Sequence, residues 1–230
     1  MKLHFIRHGD PDYKNDCLTA LGKLQAEAAS KRLDECKLER IYASPLGRAI
    51  ETASYTAKAQ GLEIETLDFM REVNWKSANG EPIPCDGHPW NLAAQLVREN
   101  KNLMHKGWEN EYPFNNCCIA QSIERVAKGL DELLIELGFE RQGDFYKVTR
   151  KNSGEYAIFS HAGSSTAALI HLFNMPAPFA YAMFPVNLTS VTTVILEDRH
   201  VNALTYPKFE ILNDKRHTEG LCASEIVYGL

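Results

Sequence analysis

An arginine, a histidine and a glycine stand side by side at Arg7-His8-Gly9, directly after the apolar Phe5-Ile6 pair. A second apolar run, YAIFS over Tyr156 to Ser160, delivers His161-Ala162-Gly163. Arg48 lies in SPLGRAIETA, where Ser44-Pro45 has the chemistry of a helix start: a capping serine, then proline at the first helical position. Each feature has an ordinary reading on its own: a chance tripeptide, a satisfied histidine at a strand end, a solvated helix arginine. Their joint placement is what those readings leave unexplained. In an open α/β sheet ligands bind beyond the carboxyl ends of the strands. Two arginines and two histidines converging there form a pocket for phosphate, whose oxygens guanidinium groups grip in bidentate fashion. Gly9 is expected to allow a sharp turn and close approach of a ligand to the backbone. The helix after His161 is expected to offer free amides to an anion.

The elements that must position these residues follow from periodicity and punctuation. Strands are expected over Lys2–Arg7, Arg40–Ala43, Glu63–Leu67, Phe145–Thr149 and Tyr156–Ser160. TSVTTVILE and VNALTY read as two more, paired as a hairpin across Asp198-Arg199. Helices are expected from Ala20 to Leu33 with Thr19 as N-cap, and from Ser44-Pro45 to Gln60 with a stop at Gly61. Others are expected from Pro89 to Asn100, from Ser122 to Leu137, and from Ser164 to Phe173 with a stop at Pro176. Between Trp75 and Gly154 the strand–helix rhythm lapses. The expected fold is therefore α/β: a three-layer α/β/α sandwich with a mostly parallel central sheet, one domain over 1–230, with a cap inserted at about 75–154. For the tail from Pro207 to Leu230 two readings are open, a cover over the pocket or a cover over the sheet edge.

At 230 residues, with 44% hydrophobic and 24% charged residues, the chain has the make-up of an ordinary globular protein. A net charge of -5 argues against a general binder of nucleic acid or anionic membrane, so an anion site must be a local basic cluster. No window approaches a membrane span, and the apolar run at the N-terminus is too short for a signal peptide. The six cysteines, Cys17, Cys36, Cys85, Cys117, Cys118 and Cys222, form no CxxC pair and make a poor disulfide framework. Free thiols in the cytoplasm are the expectation, and the NxT triplet at Asn187 then carries no glycan.

The segments FIRHG (5–9), LTALGKLQA (18–26), YASPLGRAIETA (42–53), LDFMREV (67–73) and FSHAGSS (159–165) together resemble the histidine phosphatase superfamily, in its phosphoglycerate mutase-like branch. The resemblance covers the first third of the chain and the unit around His161, and the order RHG, SPLGRAIETA, SHAG is specific. It implies that His8 is the nucleophile and becomes a transient phosphohistidine, that Arg7 and Arg48 bind the phosphoryl oxygens, and that His161 adds a donor. It also implies that Glu72 is the general acid; Glu81, in ANGEPIP, is the competing carboxylate. Chemistry supports the same division. A neutral imidazole can attack phosphorus, neighbouring arginines disfavour its protonation, and a carboxylic acid must protonate the leaving oxygen. No metal or other cofactor is expected. A site built from His4, His8, His88 and His161 would set a cation beside two arginines, and His4 should point away from the pocket.

Departures from the family pattern bear on the reaction. Mutases continue as RHGES with Trp-Asn soon after; here the run is RHGDPDYKND and Asn15 falls one residue late. Ala162 stands where glycine is usual. The first departure counts against a mutase that keeps a diphosphorylated cofactor. The leading expectation is a metal-independent phosphatase acting on a small phosphorylated metabolite. The alternatives are a mutase-type phosphotransferase and a phosphate-binding module without turnover. The cap, with His88, Trp90, Trp108 and Tyr112, matches nothing in the resemblance; its aromatics either form their own small core or read the organic part of a substrate.

Overall fold

Along Lys2–Arg7 the side chains alternate between two apolar clusters: Leu3 and Phe5 enter one, Ile6 the other. A strand buried this way on both faces must lie inside a sheet covered by helices on both sides. The structure, a computed structural model, describes residues 1–221. Cys222 and the end of the expected tail lie outside the described residues.

In chain order the strands are β1 (Lys2–Arg7), β2 (Pro11–Asp12), β3 (Cys17–Leu18), β4 (Leu38–Ala43), β5 (Ile64–Thr66), β6 (Phe139–Gln142), β7 (Phe145–Val148), β8 (Glu155–Ser160), β9 (Val191–Leu196), β10 (Leu204–Thr205) and β11 (Pro207–Asp214). The helices are α1 (Ala20–Leu33), α2 (Gly47–Gln60), α3 (Pro89–Arg98), α4 (Ile119–Glu136), α5 (Ala162–Phe173) and α6 (Ala177–Met183). The central sheet has the order β11-β9-β1-β8-β4-β5. β1, β8, β4 and β5 run parallel, while β9 is antiparallel to both β1 and β11. The fold is the mixed α/β sandwich with a mostly parallel sheet.

Two clusters cover the two faces. On one, Leu33 of α1 and Ala53 and Ala57 of α2 pack on Ile6, Ile41, Ala157 and Phe159. On the other, α4 and α5 contribute Val126, Leu130, Leu134, Ala167 and Leu169 over Leu3, Phe5, Tyr42 and Ile158. Ile83, Leu92 and Phe114 belong to that same second cluster, so the inserted segment has no separate core: its apolar side chains join the main one. α4, within the expected insert, packs against α5 as a layer of the sandwich.

Several boundaries differ from expectation for identifiable reasons. α2 begins at Gly47, with Leu46 as an uncapped N-cap, rather than at Ser44-Pro45. The Ser44 hydroxyl is engaged elsewhere, as described below. α5 starts at Ala162 and ends on Asn174 in the left-handed conformation (φ 53°), before Pro176 is reached. The expected hairpin across Asp198-Arg199 does not form. β9 pairs instead with β11, and only Leu204–Thr205 of VNALTY is a strand, hydrogen-bonded to β7. β11, whose alternation is weak because it lies at the sheet edge, and β6 were not expected at all. Pro207–Asp214 of the tail is therefore that edge strand.

Candidate active site

The register of β1 against β8 sets Arg7 opposite Ser160, so His8 and His161 leave the sheet from adjacent parallel strands at the same edge. The His8 N–H donates to the Ser160 carbonyl at 2.9 Å, extending the pairing by one residue. The two rings lie 5.1 Å apart between centroids, tilted by 61°. β4, the next strand, ends in the same row, and Ser44 just beyond it meets the His161 Nε2 atom at 2.8 Å.

His8 is buried, and its Nδ1 lies 2.7 Å from the Gly9 carbonyl, an acceptor only. Nδ1 therefore carries the proton and Nε2 keeps its lone pair. Burial first, then the Arg7 guanidinium, hold the imidazole pKa down to about 3, so the ring is neutral across the physiological range. Arg48 acts in the same direction, more weakly than the Gly9 bond that opposes it. The Gly9 backbone is fixed in turn by the Thr52 hydroxyl, which accepts its N–H at 3.1 Å. Gly9 has an ordinary negative or extended φ, and what it admits is α1 rather than a ligand. A Cβ at Gly9 would stand 2.6 Å from the Gly22 carbonyl oxygen, and one at Gly22 would stand 2.2 Å from that of Asp10.

Arg7, Arg48 and His161 are all buried, at 5%, 9% and 0% exposure, and each has a buried side-chain nitrogen without a partner among the described residues: Arg7 Nε, Arg48 Nε and His161 Nδ1. Buried polar atoms are ordinarily paired, so three unpaired nitrogens around the His8 ring leave hydrogen-bonding capacity that an anion could take up. Arg7 is anchored by Nη1 donating to the Val186 carbonyl at 2.7 Å. Arg48 is anchored by Nη1 donating to Asp16, whose other oxygen accepts the Gly47 N–H at 2.7 Å, and its guanidinium faces the Tyr13 ring at 5.4 Å. For His161, Nε2 meets the Ser44 hydroxyl, which also accepts the Leu46 N–H at 3.4 Å. Burial, His8 and both arginines keep the His161 pKa well below its ordinary value.

Glu72 occupies the N-terminus of α5. Its Oε1 accepts the Ser164 N–H at 3.1 Å and the Val73 N–H at 2.9 Å. The amides expected to be free for a ligand are thus turned toward a carboxylate of the chain itself. Burial pushes the Glu72 pKa up, against the pull of the amide donors and of Arg7. Gly163 is what lets the carboxylate come so close: a Cβ there would stand 2.5 Å from Glu72 Oε1 and 2.3 Å from a Val73 methyl. Glu81 lies on an exposed loop, hydrogen-bonded to Asn79.

Other expectations resolve plainly. Asn15 turns away from the pocket and donates to Asp12; its neighbour Asp16 meets Arg48. His4 reaches Thr193 and Glu155 rather than His8. Tyr112 is exposed, and Trp108 packs edge-on to Phe114. His88 and Trp90 lie in an aromatic row: Trp75–His88 at 5.1 Å, His88–Trp90 at 5.2 Å, Trp90–Tyr181 at 5.0 Å. The row ends beside the site, since the Tyr181 hydroxyl meets the Gly163 carbonyl at 3.4 Å and its pKa is raised by burial and by Glu72. Asp16, Ser44, Thr52 and Tyr181 were not read as site residues. Ser44 looked like a helix cap, and nothing in the spacing set Asp16 apart from its neighbours.

The family model of the histidine phosphatase superfamily (branch 1) matches residues 3–207. The curated protein named "Probable phosphoglycerate mutase GpmB", from Yersinia enterocolitica, is 29% identical over 92 residues, which are 36% of this chain and 43% of that protein. The chain thus matches less than half the length of that relative. Among solved structures, phosphoserine phosphatase from Entamoeba histolytica, in complex with 3-phosphoglyceric acid, superposes with a TM-score of 0.59 at 23% identity, covering 94% of this chain and 98% of that one. Mycobacterial glucosyl-3-phosphoglycerate phosphatase with inorganic phosphate gives 0.63 at 20% identity, covering 93% and 97%. At these identities the likeness is one of fold.

Proposed function

The chain belongs to the histidine phosphatase superfamily, and on that premise we propose that it is a metal-independent phosphatase that hydrolyses a small phosphorylated metabolite through a phosphohistidine on His8. The observation that carries this reading is the lone pair of His8 Nε2, set beside three buried nitrogens that have no partner among the described residues.

The reaction then runs in two displacements. Nε2 of His8 attacks phosphorus as the ester P–O bond breaks, and the Glu72 carboxyl gives its proton to the departing oxygen. The phosphoryl oxygens take the N–H donors of Arg7, Arg48 and His161, which stabilise charge in place of a metal. Glu72, now a carboxylate, takes a proton from water as that water attacks phosphorus. The P–N bond breaks, phosphate leaves, and both residues return to their starting forms. The raised Glu72 pKa supports the acid role, because a carboxyl that keeps its proton nearer neutrality is the better donor.

The organic part of the substrate lies against the segment 75–118, where Trp90 meets Tyr181 of α6 and the pair leads toward Glu72. The free state of Cys17, Cys36, Cys85, Cys117 and Cys118 supports a reducing compartment such as the cytoplasm. No helix among the described residues is long and apolar enough to cross a membrane. Against the mutase reading stands the loop after His8, where Asp16 rather than an asparagine faces Arg48. The test is phosphate release from p-nitrophenyl phosphate and a panel of sugar, nucleotide and amino-acid phosphates, with and without EDTA. Release that survives EDTA is expected. Phosphate moved between hydroxyls with none released would establish the phosphotransferase instead.

A further inference from the structure

At the amino end of the sheet, remote from the pocket, three metal-ligating side chains meet that the proposed reaction does not use. His4 on β1, Cys36 just after α1 and Glu155 at the start of β8 bring one ligand atom each to within 4.8 Å of one another. His4 and Glu155 share the sheet face that α1 covers, the face also carrying Ile6 and Ala157. Cys36 packs against that cluster. The His4 Nε2 and Glu155 Oε2 atoms are 3.2 Å apart. Two ligands on one tetrahedral zinc ion, with bonds of about 2.0–2.1 Å, stand roughly 3.3 Å apart, so this pair is already at ligand spacing.

We propose that His4, Cys36 and Glu155 bind one zinc ion, which ties β1, the α1–β4 connection and β8 together. Imidazole nitrogen, thiolate sulfur and carboxylate oxygen are all zinc ligands, and with three of them a water completes four-coordination. Thr193 suits the site. Its Oγ1 lies 2.9 Å from His4 Nδ1, and a hydroxyl accepts from Nδ1–H when Nε2 holds metal, or donates to Nδ1 when Nε2–H bonds Glu155. His4 can therefore release its bond to Glu155 without stranding its other nitrogen. The Cys36 thiol gives up its proton to solvent as the Zn–S bond forms. The nearby cations are committed elsewhere: Lys2 to Glu210 at 2.9 Å and Arg32 to Asp214 at 3.2 Å. Four residues of strand, roughly 13 Å at about 3.3 Å per residue, separate His4 from His8, so the ion acts on stability rather than turnover.

The test uses the full chain, stripped of metal by chelation, then titrated with zinc or cobalt(II) chloride. One equivalent of cobalt should produce a thiolate-to-cobalt absorption band. A hundredfold excess of zinc over its Kd should raise the Tm by roughly 5 °C or more. Both effects should vanish in Cys36→Ala and weaken at least tenfold in Glu155→Gln, while phosphate release by Cys36→Ala equals that of the wild type. Zinc should also slow alkylation of Cys36 in the wild type, read peptide by peptide, which needs no variant to fold. A cobalt band that persists without Cys36, no Tm rise with zinc, or a Cys36 alkylation rate indifferent to zinc would each overturn the proposal.

Discussion

The Glu72 carboxylate accepts the backbone N–H of Ser164 at 3.1 Å, three residues beyond His161, so the chain's own acid sits where a helix would otherwise hold an anion. This joins the 67–73 segment to the strand–helix unit of His161 through one hydrogen bond. Glu72 and His161, proton donor and phosphate donor in the proposed reaction, are thereby held on a common frame.

From that relationship, Glu72→Gln keeps the shape and removes the transferable proton. Turnover of alkyl phosphates, which have poor leaving groups, should fall about a hundredfold to ten-thousandfold, and p-nitrophenyl phosphate much less. Glu81→Gln should leave both rates unchanged. Steady-state kinetics on paired substrates decide the matter, and the opposite pattern would transfer the acid role to Glu81.

Gly163→Ala places a methyl in the space that Glu72 and Val73 now fill. The carboxylate must move, while Arg7, Arg48 and His8 stay where they are. We expect kcat to fall at least tenfold. Inhibition by inorganic phosphate should change little, because the phosphate donors are untouched. An unaltered kcat would show that the close approach of Glu72 has no catalytic consequence.

Ser44→Ala removes the hydroxyl that meets His161 Nε2. Without it the ring loses its one side-chain anchor among the described residues and is free to turn. We expect a loss of about tenfold to a hundredfold from the misplaced ring, in kcat more than in KM. Ser44→Thr, which keeps the hydroxyl, should recover most of the loss. Equal kinetics in Ser44→Ala and the wild type would remove Ser44 from the account.

The buried, neutral His8 also marks the pH dependence of stability. In the unfolded chain a histidine takes up a proton below about 6.5, whereas the folded ring resists until about 3. Acid therefore favours the unfolded state across that window: stability present above pH 6.5 is lost progressively as pH falls toward 3. His8→Gln should reduce the proton uptake on unfolding at pH 5 by about one, measured by denaturant titration at several pH values. An unchanged slope would mean that His8 titrates normally in the folded protein.

Much of the frame was legible because it rests on local chemistry. The Thr19 cap accepts the Gly22 N–H at 3.1 Å, and Gly61 stops α2 at φ 66°, as their residue types require. The strands around RHG and SHAG are apolar on both faces, which only a covered parallel sheet explains. The pairing of β9 was not legible, since Val191–Leu196 is equally suited to any antiparallel neighbour and a short turn at Asp198 is the nearest candidate. Long-range register decided it. Ser44 and Asp16 escaped for a related reason: their partners, His161 and Arg48, lie 117 and 32 residues away, and no local pattern records such a bond.

The central claim is a covalent one, and trapping tests it most directly. Wild-type protein mixed with a phosphorylated substrate, quenched in alkali within the first turnover and mapped by mass spectrometry, should carry one phosphoryl group on the peptide containing His8. The group should be lost in acid and should be absent from His8→Ala, which should also lack phosphate release. Substantial turnover by His8→Ala, or a phosphoryl group found on another residue, would contradict the account.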